Sequence, residues 1–473
     1  MKILISHSYF LFFDTKEASF KKPYPPLAPL IVSGIIKKEL NIDVEFSDVM
    51  FDHDEKGLVD CINRIQPDIL IVYDDDFNYL TKMCLENMRT AILQVLKNVN
   101  KKGLFIVHGS DSSDQAQMYL KAGFDYVIHQ NAEKTVVELL TAYKKDSESI
   151  KKINGISYLS DGKYIKNDPQ KQNYPIENAV MPLWEKINIE PYRKMWKEAH
   201  GYFSLNISTS HGCPYSCNWC AKPLYGRTYT SIPAKEAANQ FAYLANTLKA
   251  DHVWVTDDIF ALKAGWINEF AQELEQLNVK LPLRCQNRAD LITDEFAKNL
   301  ARAGCVELWL GAESGSQKVL DAMNKRVTIE QIKNATKHLQ KYKIKVGFFL
   351  QYGYPGEEME DIEKTFSMIK DALPDYVGVS VSYPLKDTPF YESVKAEMVE
   401  KKNWKDSGDL AIMFQGKYHP DFYRALYSYT HHYFGYVSLF KRQPIKQTIK
   451  RSIQLLKHIP GMIKYKHLMR SYT

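Results

Sequence analysis

Cys213, Cys217 and Cys220 fall within the stretch His211-Gly212-Cys213-Pro214-Tyr215-Ser216-Cys217-Asn218-Trp219-Cys220. Thiolates spaced this closely on one loop suit an iron–sulfur cubane, which is held by cysteine sulfurs. With three protein ligands the fourth iron stays open to a small molecule, like the open position of any catalytic metal site. The rival reading of the same residues is a structural zinc with His211 as its fourth ligand. Structural zinc usually pairs C-x₂₋₄-C with a second, distant pair. The other cysteines, Cys61, Cys84, Cys285 and Cys305, are scattered singly along the chain and read as small apolar interior residues. An odd total of seven cysteines, three of them clustered, does not describe a disulfide framework.

The elements that must hold this loop follow from the hydrophobic pattern. From Leu205 to about Tyr383 strands and helices alternate, with strands expected at Leu205–Thr209, His252–Thr256, Leu283–Gln286, Val306–Gly311, Val346–Leu350 and Tyr376–Val381. Six such units predict a partial (β/α)6 barrel of the TIM type, over about residues 201–390. The cysteines directly follow its first strand, at the end where barrels hold their chemistry. Further candidates sit at the other strand ends: Asp257 and Asp258 after the second, Arg288 and Asp290 after the third, and Gly311-Ala312-Glu313-Ser314-Gly315 at the fourth. A turn capped by Ser314 or Ser316 is a compatible structural reading of the last.

Residues 1–146 alternate in the same way, which predicts a Rossmann-like open parallel sheet with helices on both faces. Ligands of such sheets bind beyond the carboxyl ends of the strands. Between the two domains, Asp161-Gly162 marks a hairpin followed by a Pro-containing stretch, and residues 147–200 are expected to be a linker. After about residue 391 the alternation is lost and a mostly helical region is expected.

Here the sequence resembles a known family. C-x₃-C-x-Φ-C with an aromatic, Trp219, before the last cysteine is similar to the hallmark of radical S-adenosylmethionine enzymes. The resemblance implies a [4Fe–4S] cluster on Cys213, Cys217 and Cys220 and S-adenosylmethionine as co-substrate. It places Trp219, Asp257, Asp258, Arg288, Glu313 and Ser314 around that cofactor. The order of an α/β sheet, a hairpin and a barrel resembles the cobalamin-binding subfamily, as do Pro25-Pro26-Leu27-Ala28-Pro29-Leu30 and Ala122-Gly123-Phe124-Asp125-Tyr126-Val127. That likeness implies cobalamin on the first sheet, near the small residues Gly109, Ser110 and Ser112. The subfamily's glycine-rich loop is replaced here by His108-Gly109-Ser110-Asp111-Ser112-Ser113-Asp114, and Asp74-Asp75-Asp76 bring negative charge to the same rim. The implied activity is hydrogen abstraction from an unactivated carbon of a small or lipid-like organic molecule. Methyl transfer follows if cobalamin is bound, and oxidation or cyclisation is the alternative. An electron donor such as flavodoxin or ferredoxin is the implied protein partner. A non-catalytic, cofactor-sensing protein is the rival from another class.

The chain has 473 residues, 45% hydrophobic and 25% charged, with a net charge of +6, a normal balance for a globular enzyme. No run of 18 apolar residues and no signal peptide is evident, so a cytoplasmic protein is expected. From Phe422 to Thr473 there are ten Lys and Arg and no Asp or Glu. Ile445, Ile449, Ile453, Leu456 and Ile459 recur there at helical spacing, so a terminal helix packed on the barrel is expected. Peripheral contact with the inner membrane face is a second reading of the same stretch. No nucleic-acid motif accompanies the charge.

Overall fold

A computed structural model describes residues 1–74, 85–176, 180–220, 228–441 and 448–472. Asp75, Asp76, Cys84, Arg442 and Lys446 lie outside the described residues. The chain folds as an α/β protein built on two largely parallel sheets.

In the first sheet, β1 (Ile3–His7), β2 (Glu45–Ser47), β3 (Ile69–Tyr73), β4 (Leu104–His108) and β5 (Tyr126–Ile128) take the order 2-1-3-4-5, with every neighbour parallel. All five residues of β1 and of β3 are buried, as befits strands covered on both faces. Leu4, Leu70 and Val72 enter one core, while Ile3, Ile5, Ile69 and Ile71 enter another. This is the alternation of a strand sorted between two helix layers.

The hairpin expected in a linker belongs to this sheet instead. Its strands β6 (Ile156–Ser160) and β7 (Lys163–Lys166) extend the sheet beyond β5 in antiparallel fashion. Ile156 and Tyr158 add to the second core, and the edge of β5 gains partners.

The second sheet contains β8 (Ser204–Ile207), followed by the short antiparallel pair β9 (Ser210–His211) and β10 (Thr230–Ser231). It continues with β11 (His252–Val255), β12 (Leu283–Asn287), β13 (Cys305–Glu313), β14 (Lys345–Tyr352) and β15 (Tyr376–Val381). Its order is 8-11-12-13-14-15, again with all neighbours parallel. One face, with Leu308, Leu310, Val346, Phe348 and Leu350, is fully buried, while the other carries the exposed Phe349.

Two segments tie the sheets together. Residues 23–25 lie against β8: the Trp196 indole donates to the Pro23 carbonyl at 2.7 Å, Asn206 donates to that of Pro25 at 3.0 Å, and the Tyr24 and Ser204 hydroxyls are 3.0 Å apart. The second segment, around 403–407, lies in the region expected to be helical, yet it forms no helix and straps the first domain. Trp404 is buried, the Glu86 and Asn87 amides donate to the Trp404 and Lys405 carbonyls, and Ser407 donates to Asp14 at 2.8 Å. Burial of one indole and these long-range bonds replace helical periodicity there.

Helices Pro420–Lys441 and Thr448–Ser471 follow. The first packs on the helix Met359–Ala372 through Tyr429 and Tyr433 against Phe366, and on the sheet through Thr430 at 3.1 Å from the Tyr352 hydroxyl. The second lies on the first, with His458 and Tyr465 against His432, while the side chains of Ile445, Ile449, Ile453 and Leu456 lie outside the described residues. Among the described residues no helix is long and apolar enough to cross a membrane.

Candidate active site

The loop that carries the three cysteines is anchored before it begins. Asp257, just past β11, is buried and accepts from the Thr209 amide and hydroxyl at 2.6 and 2.5 Å and from the Ser210 amide and hydroxyl at 3.1 and 2.7 Å. Burial pushes its carboxyl pKa up, against the opposing pull of these hydrogen bonds. Both oxygens are thus committed to the chain. Asp257, expected beside the ligand, acts instead as the clamp that sets the exit of β8. Gly212 follows with φ of +80°, a left-handed turn that suits glycine.

Beyond it, Cys213, Cys217 and Cys220 are in no disulfide, the first and last partly exposed and Cys217 buried. Asn218 donates from its amide to the Met323 carbonyl at 2.9 Å and from its side chain to that of Ala322 at 3.0 Å. Asn324 in turn donates to the Ser216 carbonyl at 2.7 Å. Long-range bonds therefore hold this loop against the segment that follows β13.

Two cations stand at Cys217. Arg288 lies 3.8 Å from its sulfur, stacks 3.7 Å over the Tyr215 ring and is fixed by Asp290 at 3.0 Å and the Lys325 carbonyl at 2.8 Å. Lys325 is buried, with its ammonium 2.8 Å from Glu313 and 5.7 Å from the Trp219 ring centroid. Burial alone would lower the Lys325 pKa, but the charges of Glu313 and Cys217 outweigh it and the net shift is upward. Lys325 carries no sequence signature, and only its fold neighbours reveal it.

Glu313 ends β13 with φ of +58°, a conformation uncommon for a side chain of this size and one that clusters at functional sites. Ser314 is turned to structural use, since its hydroxyl accepts from the Ser316 amide at 3.1 Å and meets Thr365 at 3.3 Å. Asp258 is half-buried. The Trp219 indole N–H is buried with no hydrogen-bond partner among the described residues. No three described His, Cys, Asp or Glu side chains gather round a single point as ligands of one ion would. A cubane makes a different demand, one thiolate for each of three irons. Three thiols outside any disulfide on one pinned loop, two cations and an orphaned donor fit an anionic cluster with a polar ligand upon it.

At the rim of the first sheet the sequence-named residues sit differently from expectation. Ser110 and Ser112 are buried, and the Ser112 amide donates to Asp74 at 2.9 Å. Asp74 also accepts from Ser8 and Tyr119, both at 2.9 Å. Its carboxyl pKa is pushed up to about 7 by burial and by neighbouring Asp111. Asp111 is itself held by both arms of Arg89 at 2.6 Å, and Arg89 reaches Asn403 of the strap at 2.7 Å. The Asp74 charge is therefore withdrawn beneath the rim. The Ser112 hydroxyl donates to the Gly109 carbonyl at 3.3 Å, so it serves the loop's own packing, and with Ser110 also buried the two do not form an open shelf.

Residues 207–369 match the model of the Radical SAM superfamily, so this segment is a radical SAM domain. An uncharacterized methyltransferase of Pyrococcus horikoshii is 22% identical over 394 residues, covering 80% of this chain and 81% of that protein. The anaerobic magnesium-protoporphyrin IX monomethyl ester cyclase of Cereibacter sphaeroides is 24% identical over 412 residues, covering 84% of this chain but 64% of the longer cyclase. Among solved structures, the radical S-adenosylmethionine methyltransferase TsrM of Kitasatospora setae, with cobalamin and a [4Fe–4S] cluster bound, superposes with a TM-score of 0.69 at 18% identity, over 84% of this chain and 75% of that one. The cobalamin-dependent radical enzyme OxsB, with aqua-cobalamin and S-adenosylmethionine bound, gives 0.76 at 16% identity, over 99% and 72%. At these identities the likeness is one of fold.

Proposed function

We propose that this radical SAM domain protein is an enzyme whose Cys213, Cys217 and Cys220 hold a [4Fe–4S] cluster and whose neighbouring side chains receive S-adenosylmethionine. The observation that carries this reading is the pinned loop of three closely spaced cysteines, none in a disulfide, with Arg288 and Lys325 at Cys217. Together, that cluster and S-adenosylmethionine supply a 5′-deoxyadenosyl radical, after one electron from a flavodoxin- or ferredoxin-like donor, for hydrogen abstraction from an organic substrate. Arg288 and Lys325 offset negative charge at the sulfur of Cys217. Glu313 and Lys325 offer opposite charges to the ammonium and carboxylate of a zwitterion, with Asp258 as a second anion for the ammonium. The Trp219 N–H supplies the remaining donor. The second sheet, in sequential parallel order, then acts as the partial barrel that presents these groups at its carboxyl end.

Cobalamin is the cofactor we assign to the first domain, on the likeness to TsrM and OxsB. Ser110 and Ser112 are too buried to hold it, and we derive no step through it. Methyl transfer is the favoured reaction, with the Pyrococcus relative's name in support. Oxidation or cyclisation is the second reading, favoured by the cyclase relative. Anaerobic protein given S-adenosylmethionine, dithionite and hydroxocobalamin should release 5′-deoxyadenosine and bind the cobalamin saturably. Absence of 5′-deoxyadenosine would reject the radical reading, and absence of saturable binding would reject the cobalamin assignment.

A further inference from the structure

The face of the second sheet turned away from its helices carries an aromatic slab that the proposed chemistry does not use. Strand register fixes it in rows. Arg284, Glu307 and Lys345 are in-register neighbours across β12, β13 and β14. The next row inward brings Trp309 beside Gly347 and Gly347 beside Tyr376. The third sets Gly311 beside Phe349 and Phe349 beside Gly378.

The glycines determine the shape. A Cβ at Gly347 would strike the Trp309 indole, and one at Gly378 would lie 3.1 Å from it, so this indole lies flat across two strands. Phe349 stacks on Trp309 with centroids 4.7 Å apart and planes at 28°, and Tyr376 lies 6.1 Å away at 12°. Trp309 is locked by its N–H, which donates to Glu307 at 2.7 Å. The three rings thus form one offset stack, and Phe349 in it is 40% exposed. A stacked aromatic surface left open to solvent on a barrel's inner face is unusual unless something covers it.

Position and charge together indicate the occupant. Gly311, the in-register neighbour of Phe349, lies beneath the Lys325–Glu313 pair, since a Cβ there would be 2.6 Å from the Lys325 ammonium. Adjacent strands are roughly 4.8 Å apart, so the slab begins one strand away from the groups proposed to receive S-adenosylmethionine. At its other border Lys345 sits 6.0 Å from the Tyr376 ring, and the Arg284 guanidinium stacks 4.5 Å over Trp254. Lys22 is close enough to Arg284 and Glu307 to feel both charges, and its ammonium pKa is lowered by burial and by Arg284. Three cations, Lys22, Arg284 and Lys345, against the carboxylates of Glu307 and Glu17 leave this border electropositive.

We infer that the Trp309–Phe349–Tyr376 slab is the substrate platform, and that it takes a planar conjugated ring bearing a carboxylate, with the ring stacked on exposed Phe349 and the carboxylate toward Lys345 and Arg284. This deepens the proposed function and rests on it for the identity of the reacting centre, but the binding itself needs neither cluster nor S-adenosylmethionine.

The test is fluorescence anisotropy on the full chain with three probes: pyrene-1-carboxylate, the neutral 1-pyrenemethanol, and a competing aliphatic anion, dodecanoate. Pyrene-1-carboxylate should bind saturably. Phe349→Ala, an exposed position where folding is safe, should weaken it about three- to tenfold, as should Trp309→Leu. Lys345→Gln should weaken the carboxylate probe and leave 1-pyrenemethanol unchanged. Cys217→Ala should still bind the probe, so a failed radical chemistry would show as lost 5′-deoxyadenosine with binding intact. Equal affinity for dodecanoate, unchanged binding in Phe349→Ala, or no saturable binding would each overturn the platform.

Discussion

At the residue scale, Lys325 and Glu313 form the most consequential pair outside the cysteines. Both are buried and 2.8 Å apart, so removing one partner leaves an uncompensated charge that costs about 3–5 kcal/mol. Lys325→Met should therefore destabilise the fold by that order and weaken S-adenosylmethionine binding. Adding Glu313→Gln should restore much of the stability but not the affinity. Thermal denaturation alongside ligand titration separates the two effects, and restored affinity in the double variant would contradict the assigned role. Glu357 gives a pH prediction. Burial pushes its carboxyl pKa up to about 8 from 4.5, and one oxygen has no partner among the described residues. Between those values the folded state holds a proton that the unfolded state has lost. Stability therefore falls as pH rises through that window, by up to about 1.4 kcal/mol per pH unit. Glu357→Gln should flatten the slope in denaturation curves from pH 5 to 9, and an unchanged slope would contradict the argument. The cysteines could be read from sequence because their spacing is local. Lys325 could not, because it reaches Trp219 and Cys217 only through the packing of two distant loops.

At the scale of elements, the parallel strands were the most legible feature. Apolar runs such as Ile69–Tyr73, buried at all five positions, announce themselves as strands, because burial on both faces leaves a continuous apolar signature. Elements whose role depends on a distant partner were not legible. The Asp161-Gly162 hairpin announces its own turn but not the edge of β5 that it joins. The strap at 403–407 has no period at all, and only its burial of Trp404 and bonds to Asp14, Glu86 and Asn87 define it. The role of Asp257 was likewise hidden, since an acidic strand end looks the same whether it faces a ligand or its own chain. Its five bonds to residues 208–210 predict that Asp257→Ala loosens the cysteine loop and lowers iron retention after desalting, with the fold preserved by circular dichroism. Full iron retention would contradict its role as the clamp of that loop.

At the scale of the whole molecule, two α/β units are held together at several places, among them residues 23–25 against β8, the 403–407 strap and Lys386 on the Asp114 carbonyl. The first is written in the proline-rich turn after β1, which cannot join a sheet and so is free to dock. The thiols and cations past the carboxyl ends of the second sheet's strands form the proposed chemical centre of the chain. Everything assigned to that centre depends on one occupant of the cysteine loop. Iron quantitation with visible absorption on anaerobically reconstituted protein tests it directly. The wild-type chain should hold about four irons with the broad absorption of a thiolate-bound cubane. Cys213→Ala, Cys217→Ala and Cys220→Ala should each lose it, while Cys285→Ala keeps it. A cubane that survives in the triple variant would contradict the account.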